Sequence, residues 1–171
     1  HHIGVVHVPF AGHMQQLDVW KLANSEHGVT QLIISHWEFS RHNGAVYCND
    51  EPGRPFATDA SKFALFNAAV CEALLQGIIR TPDVMHLHDW HSACVALLLK
   101  NDGRYRTLSK LFLAYTVHNL ALQGIRPFKG DSSSLEAWFP GLNYNGEKLC
   151  DPRYHDCFNP MRAAINLVDK V

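Results

Sequence analysis

Apolar positions fall into short runs and one long helical period. Ile3–Val8 reads as a short apolar strand, ended by Pro9. Met14–Leu22 is ambiguous, because Leu17 and Val19 alternate but no period persists. Thr30–Ser35 is β-branched and apolar, the texture of a buried strand. Arg41–Pro55 is rich in Gly, Asn, Asp and Pro and reads as loop. The best helix is Asp59–Gln76, where Phe63, Phe66, Val70 and Leu74 recur at helical spacing, Asp59 or Ser61 can cap the start, and Gly77 stops the end. Asp83–His88 is the next strand. His91–Lys100 is a nearly all-apolar helix, hence buried on most sides, and Asn101–Lys110 is a polar linker. Leu111–Val117 is a continuous apolar run, expected to be a parallel strand covered on both faces. Ile125–Asp156 is turn-rich, with a short helix at Ser134–Phe139. Asn159–Leu167 is the last helix, and Asp169–Val171 opens a further strand.

Strand, helix and strand from Asp83 to Val117 make one βαβ unit, whose crossover is right-handed by the handedness of strands. The expected fold class is α/β: a Rossmann-like parallel sheet with helices on both faces. Parallel strands point the same way, so His88–His91 and His118–Gly124 meet at the carboxyl edge of the sheet, where ligands bind in open α/β folds.

Composition narrows the function. With 171 residues and 47% hydrophobic content the chain sustains one core, read as a single domain over residues 1–171. The net charge of −1 and the absence of a Lys/Arg cluster argue against nucleic acid and anionic membranes as partners. No apolar run reaches the roughly 18 residues that span a bilayer, and no signal-peptide pattern opens the chain. Five cysteines, an odd number, do not make a disulfide framework, so a reducing cytoplasm is expected.

Four motifs carry candidate chemistry. In His86-Leu87-His88-Asp89-Trp90-His91, the Asp89 carboxylate either accepts hydrogen bonds from a hydroxylated ligand or caps the following helix. The three histidines raise a metal site, but no second ligand cluster accompanies them, and satisfied histidines are the better reading. In Thr116-Val117-His118-Asn119-Leu120-Ala121-Leu122-Gln123-Gly124, a strand gives way to groups suited to sugar hydroxyls and phosphate oxygens, or simply to a polar loop. Gly124 permits positive φ or close backbone approach. Phe56–Phe63 presents Asp59 and Lys62, read first as a helix cap with a solvated lysine. Cys150, His155 and Cys157 invite zinc, but their spacing supplies only three soft ligands, and a turn-rich surface segment fits better. No glycine-rich phosphate loop and no nucleophile elbow occurs.

The pair DVMHLHDWHSACVALLLK and LFLAYTVHNLALQGIRPF closely resembles the HxHDWH…HNLAYQG signature of bacterial glycogen synthases and plant starch synthases. GVTQLIISHWEFSRHNGAVY, TDASKFALFNAAVCEAL and MRAAINLVDKV resemble neighbouring segments of the same family, so the likeness covers nearly the whole chain. The resemblance implies a GT-B fold and transfer of glucose, with retention, from ADP-glucose or UDP-glucose to the nonreducing 4-OH of an α-1,4-glucan. No cofactor beyond that donor is expected, and no metal. It implies that His118 lies beside the transferred glucose, its main-chain carbonyl stabilising oxocarbenium-like charge, and that Asp89 lies near the glucose hydroxyls. Asn119, Gln123, Gly124, His91 and Asp59 fall around the same pocket. Leu122 stands where the family has Tyr, Lys62 where Arg is usual and Ala60 where Asn is usual, which marks a divergent branch and weakens Asp59. The family's Lys-x-Gly-Gly-Leu loop does not occur here, nor does its C-terminal nucleotide-binding domain. The chain is therefore expected to be an incomplete N-terminal catalytic domain, in the cytoplasm or, in a plant, the plastid. The competing readings are another GT-B enzyme of the sucrose-synthase or phosphorylase kind, and a non-catalytic glucan- or nucleotide-binding module.

Overall fold

The structure is a computed structural model that describes residues 1–23, 26–48, 54 and 56–171. It opens with an antiparallel sheet in the order β1 (His2–Phe10), β2 (His13–Lys21), β3 (Leu32–Ser35). Val6, Val8 and Phe10 alternate into the core from β1, and Leu17 and Val19 do so from β2. The ambiguous stretch around Leu17 is thus the middle strand of this sheet. Pro9 does not end β1. It pairs with Met14 on an outer strand, where a missing N–H is tolerated. The turn is Ala11-Gly12, both at positive φ (51° and 75°), as a tight two-residue hairpin requires. Of the expected Arg41–Pro55 loop, residues 49–53 and 55 lie outside the described residues. Its start contains a 3-10 turn over Arg41–Gly44, after the short helix α1 (Trp37–Ser40).

Helix α2 (Ala57–Leu75) forms where the period predicts it, but its buried residues include Ala64, Leu65, Ala68, Cys71 and Leu74, while Phe66 is exposed and Phe63 and Val70 are half-buried. Its cap also differs from expectation. Phe56 is the N-cap, in the left-handed region, and makes no side-chain capping bond; Ser61 turns back to the Ala57 carbonyl instead. The helix docks on β1 through Gln76, whose amide accepts from His7 N (3.1 Å) and donates to His7 O (2.7 Å), taking the place of a neighbouring strand. Fully buried Glu72 is held by Arg104, Tyr105 and Gln76. Burial raises the Glu72 pKa, but these bonds outweigh it and leave the carboxyl below its ordinary value.

β4 (Val84–His88) and β5 (Phe112–Thr116) pair in parallel, in the register Val84↔Phe112 to His88↔Thr116. Between them come a 3-10 turn (Trp90–Ser92), α3 (Ala93–Asn101) and a second 3-10 segment (Gly103–Leu108) in place of the expected linker. Lys170 adds an isolated parallel bridge to Ala114, on β5. The βαβ unit is as expected, but β5 is not covered on both faces. Leu87, Leu113 and Tyr115 are buried, whereas Val84 and Phe112 on the opposite face are about half exposed.

The C-terminal segment holds a two-stranded pair, β6 (Arg126–Pro127) with β7 (Cys157–Phe158), and three helices: α4 (Leu135–Trp138), α5 (Gly146–Leu149) and α6 (Pro160–Leu167). Ser134 and Asn159 cap α4 and α6, accepting from the amides of Ala137 (3.2 Å) and Arg162 (3.0 Å). Trp138, fully buried, donates its indole N–H to Ser61 Oγ and ties this segment to α2. One hydrophobic cluster joins the strands and helices. Among the described residues no helix is long and apolar enough to cross a membrane.

Candidate functional site

The register of β4 with β5 fixes the site. His88 faces Thr116, and Asp89 N extends the ladder by bonding Thr116 O (3.0 Å), so the next residues of both strands emerge side by side. Asp89 then leaves the strand at φ 53°, ψ −177°, an uncommon conformation for a residue with a Cβ. Its side chain does not cap the following turn. It reaches across to the other strand instead: Oδ1 accepts from His118 N (2.7 Å) and Asn119 N (3.2 Å). The helix-cap reading is thereby replaced. The carboxylate caps the neighbouring loop, not its own helix. Charge-assisted bonds of this kind are roughly twice as strong as neutral ones.

Asp89, His118 and Asn119 thus converge, and His118 and Asn119 are exposed. The Asn119 side chain is used locally, accepting from Ala121 N (2.8 Å). Gln123 is used at both ends: Nε2 donates to Leu120 O (2.9 Å), and Oε1 accepts from buried Asn159 Nδ2 (2.7 Å). Asn159 also donates to buried Asp151 (2.8 Å). Burial raises the Asp151 pKa, but the amides of Arg153 and Tyr154 and the side chain of Asn159 outweigh it and hold the carboxyl below its usual value. The segment expected to be surface therefore hides an anchor. Cys150 and Cys157 are free thiols, and among the described residues no group of three His, Cys, Asp or Glu is placed to hold a metal ion.

Gly124 meets both requirements expected of it. Its φ is 71°, and a Cβ there would lie 2.2 Å from Trp90 Cε3. The indole of the first motif thus packs on the glycine of the second. His91 sits behind it, stacked on Trp90 (centroids 4.5 Å apart) and edge-on to Phe63 (4.7 Å). Its Nε2 is 2.6 Å from Tyr47 Oη. Burial and Lys62 lower the His91 pKa against the pull of Asp89 and Asp59.

Asp59 lies apart from the strand ends. It is fully buried in the first turn of α2 and bonds Lys62 Nζ, Cys48 N and Cys48 Sγ, each at 3.2 Å. Lys62 is not solvated as expected. It is nearly buried and also donates to the carbonyls of Ala45 (3.0 Å) and Val46 (2.7 Å). The pair therefore pins the 45–48 segment, which carries Tyr47 to His91.

Two residues escaped the sequence reading. Buried Asn67 donates to the carbonyls of Phe63 and His91 (both 2.7 Å) and accepts from Val95 N (2.9 Å), fixing the start of α3. An amide inside an otherwise apolar helix face was its signal. Tyr47, in an irregular stretch, gave none. A cavity of about 880 Å³ borders the loop and is lined by Gln123, Gly124, Arg126, Arg153 and Tyr154 among others. Asp89, His118 and Asn119 stand on the open side.

A family model described as the starch synthase catalytic domain matches residues 1–171. The chain belongs to that family. Glycogen synthase from Streptococcus equi subsp. zooepidemicus (strain H70) is 34% identical over 115 residues, covering 66% of this chain and 23% of that protein. Glycogen synthase 1 from Trichormus variabilis is 33% identical over 137 residues, covering 78% and 25%. The fold matches the catalytic domain of starch synthase IV from Arabidopsis thaliana, bound to ADP and acarbose, at a TM-score of 0.72 and 24% identity over 97% of this chain and 32% of that one. This α/β chain of the starch synthase family spans about a quarter of the length of those curated relatives. The sucrose-synthase-like and phosphorylase-like readings give way to this family.

Proposed function

We propose that the chain forms one wall of the transfer site of an α-glucan synthase. The complete enzyme moves glucose from ADP-glucose, or UDP-glucose, to the nonreducing 4-OH of an α-1,4-glucan with retention. The observation that carries this reading is the pair of bonds from His118 N and Asn119 N to one oxygen of Asp89. They fix the backbone of the loop at the strand ends. Among the described residues Asp89 Oδ2 has no protein hydrogen bond, so one oxygen holds the loop and the other is left for a sugar hydroxyl.

In this reading the His118 main-chain carbonyl faces the sugar as its bond to the nucleotide breaks. A carbonyl dipole already aimed at developing positive charge costs no reorganisation during the reaction. Asp89 and His118 are the sugar-contacting groups. Asn119, Gln123 and Gly124 shape the loop, and His91 and Asp59 hold the wall behind it. The donor is a substrate, and no cofactor enters. The Arabidopsis relative holds ADP, which favours ADP-glucose as donor.

The exposure of His118 and Asn119 on the open side of the sheet supports a second wall from a further Rossmann-like domain, so that residues 1–171 are one incomplete N-terminal domain. The unpaired thiols of Cys71, Cys94, Cys150 and Cys157 support a reducing compartment, cytoplasm or plastid. The test is incubation of the complete protein that carries this chain with glycogen and labelled ADP-glucose or UDP-glucose. Label in glucan that an amylase releases is expected. No incorporation from either donor overturns the reading.

A further inference from the structure

The open face of the parallel pair carries a column of three imidazoles. His86 and His88 share that face of β4, with ring centroids 4.1 Å apart. His118 continues the row edge to edge, its ring centroid 5.2 Å from that of His88 and the planes 30° from parallel. At that edge His88 Nδ1 lies 3.0 Å from His118 Nε2. Two members of the column are held, His86 through its ring and His88 through its backbone. His86 Nε2 bonds Thr116 Oγ1 at 2.8 Å. Ser92 Oγ accepts from His88 N (2.7 Å) and donates to His88 O (2.8 Å).

Two ring nitrogens at this separation attract only when one proton lies between them. A neutral imidazole has one N–H and one lone pair. If both facing nitrogens are bare, two lone pairs meet. If both facing nitrogens are protonated, two donors meet. The contact therefore selects complementary tautomers for the two rings.

We propose that His88 is a positioning residue, which fixes the ring orientation and tautomer of His118 by holding a single proton between Nδ1 and Nε2. The inference rests on the proposed function only for its catalytic consequence, a defined ring beside the transferred sugar. The charged and titratable groups that act on His88 are His86, His118 and Asp89. Burial, His86 and His118 lower the His88 pKa, and Asp89 opposes them. The doubly protonated pair is thus disfavoured at neutral pH, and acid breaks the contact.

The test is ring ¹⁵N spectroscopy on the complete protein that carries this chain, labelled at histidine, with and without His88→Phe. His88 is exposed, so the substitution leaves the core intact, and Phe keeps an aromatic ring without a nitrogen. In the unaltered chain above neutral pH, one facing nitrogen should carry a proton and the other should be bare, with His118 in one tautomer. In His88→Phe, His118 should relax to the averaged tautomers of a free imidazole. Averaged signals in the unaltered chain would overturn the proposal, and so would His118 signals that His88→Phe leaves unchanged. No nucleotide or glucan is present, so this outcome is independent of the glucosyltransfer reading.

Discussion

Asp89 and Gly124 both sit at positive φ, for opposite reasons. A residue with a Cβ in a sparsely populated region costs on the order of 1–3 kcal/mol. Asp89 recovers that cost through two backbone amides on its carboxylate. Gly124 has no such cost, but it has no room either, because Trp90 occupies the place of a Cβ. Gly124→Ala should therefore destabilise the fold by about 3 kcal/mol, adding an unfavourable φ to overpacking. Thermal unfolding should show it as a fall of roughly 6–12 °C; an unchanged melting temperature would contradict the packing. The glycine was legible, since strand-end glycines have few other uses. The partner of Asp89 was not. Spacing placed the carboxylate at the strand end but did not say which way it turns, and a cap on its own helix was the nearer option. The partner of Gln123 was hidden in the same way, because Asn159 lies far along the chain.

At the scale of elements, α2 is the hub, touching β1 through Gln76 and α3 through Asn67. Replacing Asn67 by Leu would leave Val95 N and His91 O without their buried partner. Each unsatisfied buried group costs about 1–3 kcal/mol. Asn67→Leu should lower the urea midpoint by an equivalent of ~2–5 kcal/mol, and a neutral effect would show that water replaces the amide. The body of α2 was legible from Phe63, Phe66, Val70 and Leu74, although Phe66 turns out exposed. Its start was not, because Phe56 takes the cap position without a capping side chain. The β1–β2 hairpin was hidden by an Ala-Gly turn and by Pro9, which reads as a terminator unless the strand is known to be at an edge.

For the whole molecule, titration gives stability a direction. His36, His88 and His91 have pKa values lowered in the fold, chiefly by burial. A lowered histidine binds fewer protons folded than unfolded, so its stabilisation is present above about pH 6.5 and is lost as pH falls through the folded value. Asp131, held down by Arg54 and Ser133, and Asp169, held down by Leu113 N, act alike at lower pH. Their contribution persists above about pH 4 and vanishes below it. Urea unfolding should thus show stability falling from pH 7.5 to 5.5 and again below pH 4. A flat profile between 7.5 and 5.5 would contradict the neutral histidines.

In the proposed reading, glucosyl transfer belongs to the complete protein that carries this chain. Holding donor and acceptor in reacting geometry is worth several kcal/mol and needs both walls of a cleft. The 171 residues alone should release no ADP from ADP-glucose in the presence of glycogen, and robust release would show that one wall suffices. The strand-end convergence behind the site was legible because parallel strands must deliver their carboxyl ends to one edge. The direct tie from Asp89 to the amides of His118 and Asn119 is what the structure adds. Its decisive measurement is turnover of the complete enzyme carrying Asp89→Asn, read beside its melting temperature. Asn keeps the shape and removes the charge, so kcat should fall on the order of 10²-fold while the melting temperature moves by only a few degrees. Wild-type turnover, with or without a loss of stability, would contradict the account.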